Sequence, residues 1–218
     1  NDPANARRSF ERALALAPDY FSAARNLAQL DLSEGKSADA RRRYEAILAK
    51  DAKNVRAMVA VAQLASREGK TDEYLSWLNK AAQTDSKAIQ PRQLLARHYI
   101  EHAQGEKALA LAREVIAANP DSPAALTLLG KTQLSLGQNE NALSTFTRLI
   151  QDAPASADAY YHLALAQRAL KQPDKARASL KKALEQRPDY LPAHETLIAL
   201  ESETGRTDEA LRLARSLQ

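Results

Sequence analysis

A period of 34 residues runs through this chain without an insertion or deletion, and nothing else in the sequence narrows the fold as much. Repeats begin at Phe21, Val55, Ile89, Pro123, Ala157 and Leu191. Aligned in that frame, position 7 reads Leu27, Val61, Leu95, Leu129, Leu163 and Leu197. Position 20 reads Ala6, Ala40, Tyr74, Ala108, Ala142, Ala176 and Ala210, and position 24 reads Phe10, Tyr44, Leu78, Ala112, Phe146, Leu180 and Ala214. Within a repeat the apolar and small residues recur at i+3, i+4 and i+7, the spacing of a helix face rather than a strand. Residues 123–156 show the unit most plainly: Ser122 and Pro123 open one helix, Gly137 breaks it, and Pro154 bars extension of the second. Each repeat is therefore a helical hairpin, and a hairpin this small can bury its apolar face only against its neighbours.

The 34-residue period, the Leu of the first helix, the Ala-x3-Phe of the second and Pro18, Pro120, Pro154 and Pro188 at position 32 resemble the tetratricopeptide repeat over the whole chain. The resemblance implies an all-α fold, a right-handed superhelical α-solenoid of antiparallel helix pairs with 13 helices and no strand. Residues 1–20 would be the second helix of a truncated repeat, followed by repeats 21–54, 55–88, 89–122, 123–156, 157–190 and 191–218. The pattern departs at position 4, where Trp is typical and Ala24, Met58, Arg92, Leu126, Tyr160 and His194 stand instead. At position 11 only Tyr99 fits. The chain opens inside a repeat at Asn1 and ends after a second helix carrying Leu211, Leu213 and Leu217. The expectation is a piece of a longer array, with weak end-to-end self-association through those leucines.

Composition supports this reading. The 218 residues are 44% hydrophobic but only 5% aromatic, as alanine- and leucine-filled helix pairs require. There is no cysteine, which excludes disulfides and thiolate metal sites. No run of 18 apolar residues is present, so no membrane insertion of this segment is expected. Lys and Arg number 31 against 27 Asp and Glu, a balance that argues against nucleic acid as the main partner.

Several local features invite a chemical reading. Arg41-Arg42-Arg43 resembles a phosphate patch, but Asp39 and Glu45 lie four residues from Arg43 and Arg41, so a self-neutralised helix face is expected. Tyr74 replaces the small residue at the close contact of a hairpin and must splay it or sit against Ala62 and Ala65; with Trp77 it is read either as repacking or as an aromatic pocket. In the third repeat the turn glycine shifts to Gly105. His98-Tyr99-Ile100-Glu101-His102 matches H-x-x-E-H literally. Its place at the end of a repeat helix, and Arg97 four residues before Glu101, argue against catalysis or a metal. In the last repeat Thr207 is the expected N-cap. No phosphate loop, Ser-His-Asp set or GxSxG elbow appears, so no enzyme activity and no cofactor are expected.

In tetratricopeptide proteins the first helices line a concave groove that holds an extended peptide or partner helix. Positions 2, 5, 6, 9, 12 and 13 of that frame give the candidate lining: Arg25, Gln29, Arg56, Gln63, Arg67, Gln93, Arg97, Thr127, Lys131, Tyr161, His162 and Arg168. The carboxylate clamp of chaperone-tail adaptors is not reproduced, since its positions hold Arg25, Gln29, Ala60, Gln90 and Leu94. On the second helices the expected charge pairs are Asp39–Arg43, Arg41–Glu45, Asp174–Arg177, Lys181–Glu185 and Asp208–Arg212, with Arg7–Glu11 on the first segment. Arg25, Arg56, Arg67, Lys131 and Arg168 have no acid three or four residues away; Arg97 has Glu101. The partner is accordingly expected to be a protein or peptide, acidic and extended; a directly bound anionic polymer is the alternative. The phrases ARRSFERALALAPDYFSAARNLAQLDL and SLKKALEQRPDYLPA resemble bacterial tetratricopeptide lipoproteins of PEP-CTERM and exopolysaccharide loci. That resemblance implies a cell-envelope scaffold facing the periplasm.

Overall fold

The structure is a computed structural model that describes residues 2–217. Its 13 helices are the only regular elements among the described residues. The second helices of successive repeats are α1 (Pro3–Leu16), α3 (Ser37–Lys50), α5 (Thr71–Thr84), α7 (Gly105–Ala118), α9 (Asn139–Asp152), α11 (Pro173–Gln186) and α13 (Thr207–Arg215). The first helices are α2 (Phe21–Ser33), α4 (Val55–Arg67), α6 (Ile89–Glu101), α8 (Pro123–Ser135), α10 (Ala157–Ala169) and α12 (Leu191–Glu203). Within each set the helices start 34 residues apart, in register with the sequence frame. Among the described residues no helix is long and apolar enough to cross a membrane.

The chain divides into two compact bodies, Asn1–Leu95 and Ala96–Gln218. In the first, α1 packs on α2, α2 on α3, α3 on α4 and α4 on α5. Its core joins Phe21, Ala24, Ala28, Ala40, Tyr44, Ile47, Val61 and Leu64. Tyr74 is buried without splaying its hairpin: Ala62 and Ala65 are fully covered, and the phenol reaches the Leu94 carbonyl at 3.5 Å. Trp77 lies half-buried against the same core with the Lys80 ammonium over its ring, so it forms packing rather than a pocket.

In the second body each helix from α7 to α12 packs on the next, ending with α12 on α13. One core cluster gathers Leu126, Ala142, Phe146 and Leu149, and another Ala164, Leu180, Ala183, Leu197 and Leu200. Gly130 is required here by contact: a Cβ on it would lie 2.6 Å from Phe146 Cζ.

The turns within hairpins follow one design. Gly35, Gly69, Gly137 and Gly205 adopt φ between 69° and 76°, and the next residue closes the helix end, as when Gln138 N–H donates to Gln133 O at 2.9 Å. Two turns do this without glycine, at Ala103 (φ 55°) and Lys171 (φ 56°). Gly105 is therefore not the turn residue of the third repeat. It is the first residue of α7, where Leu136 lies so close that a Cβ would meet its Cδ2 at 2.1 Å. The same tight turn moves the expected cap of α13 from Thr207 to Arg206, whose N–H closes α12 onto Glu201 O at 2.8 Å and whose side chain, having only donors, can make no cap bond. Three of the first helices, α4, α8 and α10, use true caps: Asn54, Ser122 and Ser156 accept from backbone N–H groups of the first turn, whereas Tyr20 and Tyr190 before α2 and α12 make no side-chain cap bond.

Position 11 departs from the family's aromatic, and the departure is organised. Asp31, Gln133, Gln167 and Glu201 are buried there, each with a donor from a neighbouring helix. Arg43 of α3 donates to Asp31, Thr145 to Gln133 at 2.8 Å and Ser179 to Gln167 at 2.7 Å, each 12 residues downstream. Arg7 and Arg177 reach Asp31 at 2.7 Å and Glu201 at 2.5 Å from 24 residues upstream. Buried carboxylates are tolerable only with such hydrogen-bonded partners.

Candidate functional site

Three of the expected local charge pairs, those of Arg7, Arg41 and Arg43, are replaced by pairs between helices, and two others take a different partner on the same helix. Arg7 binds Asp31 and Glu34 rather than Glu11, and Arg43 binds Asp31 rather than Asp39. Arg41 binds Glu68 at 3.0 Å and Glu73 at 2.5 Å rather than Glu45. Glu185 takes Lys182, not Lys181, and Arg212 takes Glu209, not Asp208. Asp174–Arg177 forms as expected at 2.6 Å. Long guanidinium side chains reach an adjacent helix as easily as the next turn, and a half-buried partner there rewards them more.

The candidate lining residues fall into two sets with different electrostatics. In the first body Arg25, Gln29, Arg56, Gln63 and Arg67 are exposed on α2 and α4, and Gln93 is half-buried on α6. No described carboxylate lies within ion-pair distance of Arg25, Arg56 or Arg67. The sole acid of α2 is the buried Asp31, and α4 has none. Arg56 sits over the Phe21 ring at 5.0 Å, and that ring stacks on Tyr44 at 6.1 Å. Burial raises the Tyr44 phenol above its ordinary pKa, while Arg25 and Arg67 both lie near enough to pull it the other way.

In the second body the lining bases are matched. Lys131 of α8 lies 3.5 Å from Asp158 of α10, and Arg168 pairs bidentately with Glu203 of α12. Arg97 has Glu101 at 3.8 Å. The sequence reading left Lys131 and Arg168 uncompensated; repeat-to-repeat partners supply what their own helices lack. Thr127 bonds its own helix at the Pro123 carbonyl. Tyr161 is half-exposed, edge-on to Tyr190 at 5.4 Å, whereas His162 is nearly covered, stacked on Phe146 at 5.3 Å with both ring nitrogens buried. Its Nε2 is 3.6 Å from Asp158, which also accepts from the Tyr190 hydroxyl at 2.9 Å. The imidazole beside it, then Lys131 and the Tyr190 phenol, hold the Asp158 carboxyl well below the usual range despite its partial burial. Burial and that hydrogen bond raise Tyr190.

Position arithmetic missed Phe21, Tyr44 and Tyr190, which are packing or linker residues in the frame yet border the candidate surface. Their aromatic character was the one available signal. His98 and His102 stack at 4.0 Å with His102 Nδ1 against the His98 carbonyl, and no group of three potential metal ligands is gathered among the described residues.

Two profiles of the tetratricopeptide repeat match the sequence, one over 1–64 and 167–218, the other over 94–138 and 127–190, leaving only 65–93 unmatched. The chain belongs to the tetratricopeptide repeat family. No curated protein matches it. Solved tetratricopeptide structures are similar to it at low identity, which shows the shared fold. YrrB, described as a TPR protein with an unusual peptide-binding site, is 21% identical with a TM-score of 0.56, covering 86% of this chain and 96% of that one. A tetratricopeptide repeat protein from Parabacteroides merdae is 18% identical with a TM-score of 0.70, covering 96% and 79%. A chain of the APC/C hetero-tetramer Cut9-Hcn1 is 17% identical with a TM-score of 0.73, covering 97% of this chain and 42% of its own length.

Proposed function

We propose that this tetratricopeptide array is a non-catalytic scaffold that holds an extended acidic segment of a partner protein along its first helices. One observation carries the reading: α2 and α4 present Arg25, Arg56 and Arg67 to solvent with no carboxylate of the described residues at ion-pair distance, beside the amides of Gln29 and Gln63. Guanidinium groups left unpaired on an open surface favour carboxylate-bearing ligands, and the amides suit the backbone of an extended chain. The peptide-binding site described for YrrB and the hetero-tetramer containing Cut9 are consistent with a binding role. Of the lining residues read from sequence, those of the first body carry this proposal, because Lys131 and Arg168 already have acids. The pathway part of the proposal, an envelope scaffold in surface-protein sorting or polymer export, rests on the sequence phrases quoted above.

Fluorescence anisotropy with labelled acidic, neutral and basic octapeptides tests the reading. Acidic peptides should bind and the others should not. Equal or tighter binding of heparin or single-stranded DNA, with steep loss in salt, would instead favour the anionic-polymer alternative.

A further inference from the structure

Glu201 is a buried carboxylate with one oxygen left over. The residue is 2% exposed, and its Oε1 accepts from Arg177 Nε at 2.5 Å. Its Oε2 is covered yet accepts no hydrogen bond from a described residue, and Arg206 Nε stands off at 3.8 Å. A buried carboxylate oxygen without a donor is costly. Asp31, five repeats earlier at the same position, shows how the frame meets that cost. Arg7 and Arg177 are equivalent and each donates to one oxygen. The second oxygen of Asp31 goes to Arg43, whose counterpart beside Glu201 is Leu213.

Glu201 also forms part of the wall of a pocket of about 400 Å³ between α11, α12 and α13, a volume in the range of small-ligand sites. Leu197 is buried in that wall, Leu184 and Leu213 are half-buried, and Lys181, Glu185 and Arg212 are exposed at the mouth. The other two acids of the lining have partners, Glu209 in Arg212 and Glu185 in Lys182, which leaves Glu201 as the acceptor without a donor. We propose that this pocket takes an alkylguanidinium group, the chemistry of an arginine side chain, with its stem along Leu184, Leu197 and Leu213 and its N–H groups donating to Glu201 Oε2. The first body supplies the precedent. Its groove between α1 and α3 has Leu14, Asp39 and Arg42 at the positions of Leu184, Glu209 and Arg212, and there Arg43 provides the guanidinium from within the chain. A guanidinium suits the place better than an ammonium, because it is weakly hydrated and its planar fork matches a carboxylate edge. The site is independent of the acidic-peptide reading, which concerns α2 and α4.

Heteronuclear NMR titration of the isotope-labelled chain with N-acetylarginine amide is the test. Shifts should concentrate in α11, α12 and α13, and N-acetylcitrulline amide, of the same shape without the charge, should bind at least tenfold more weakly. Leu213→Arg restores the first-body arrangement and should cut arginine-amide affinity at least tenfold by filling the site from within. Glu201→Gln should do the same, and the spectrum of each variant shows whether it folds; should Glu201→Gln fail to fold, Leu213→Arg and the citrulline comparison decide. Glu195→Gln removes a carboxylate from an exposed point of α12 outside the pocket and should change affinity less than twofold. A loss there equal to that of Glu201→Gln would mean general charge attraction and overturn the site. So would an absence of shifts, shifts spread along the chain, equal binding of the citrulline probe, or a Leu213→Arg protein that binds as before. Agmatine, a free alkylguanidine, separates the sources of the group: tighter binding of the amide assigns the site to an arginine of a partner protein, and tighter binding of agmatine assigns it to a small cation.

Discussion

Gly130 and Asp158 show how much one residue can hold in a repeat of this size. Gly130→Ala places a methyl against the Phe146 ring in a core with no room to yield, and overpacking of this kind costs about 1–3 kcal/mol. A urea titration should show the loss as a lower midpoint. Asp158 gives a pH-dependent counterpart. Its folded carboxyl titrates below the unfolded one, so its contribution is present above about pH 4 and disappears as pH falls toward the folded value. Asp158→Asn should therefore lower stability most at neutral pH, and the gap to the unaltered protein should shrink below pH 4. A constant gap from pH 7 to pH 3 would sink this account. At this scale the sequence was partly readable. Asp174–Arg177 could be found by counting three residues, but Lys131–Asp158 and Arg41–Glu73 could not, because they join residues 27 and 32 apart through the packing of separate helices.

Among elements, the hairpin turn is the most repeated device and the one most open to improvement. A non-glycine residue in the left-handed region is strained by about 1 kcal/mol or more. Lys171 at φ 56° carries that strain at a site where four other repeats use glycine. Lys171→Gly should raise stability by up to about 1 kcal/mol, less whatever the freer unfolded chain takes back, and Gly137→Ala should lower it by about the same amount. Paired thermal melts decide the sign. The starts of the first helices were legible, because period and punctuation act locally, whereas α7 and α13 begin at Gly105 and Thr207, read from sequence as a turn residue and a cap. Turn chemistry was less so: Gly105 drew attention as the nearest glycine, yet the backbone geometry is set by position within the repeat and falls on Ala103.

For the whole molecule, the 34-residue frame gave the fold, and the family's lining positions gave the exposed bases, but not which of them remained free. That depended on Asp158 and Glu203, each contributed by the following repeat. Linear arrays transmit perturbations mainly between neighbours. Hydrogen exchange of Gly130→Ala should accordingly accelerate in α8, α9 and α10 and leave the amides of α2 and α3 unchanged. Uniform acceleration along the chain would show a cooperativity that nearest-neighbour packing does not supply.

The buried polar residues at position 11 also restrict how such a chain can be rearranged. Asp31 and Glu201 are each preceded, 24 residues earlier, by an arginine that binds them, and the repeats centred on Gln133 and Gln167 have leucine there, Leu109 and Leu143. Placing the repeat that carries Asp31 behind one of those leucines would bury a carboxylate with one of its two arginines missing. Modules of identical length and near-identical shape are thus not interchangeable cassettes: recombination that shuffles them would be filtered by the charge at each junction, and the present order is itself an inherited trait.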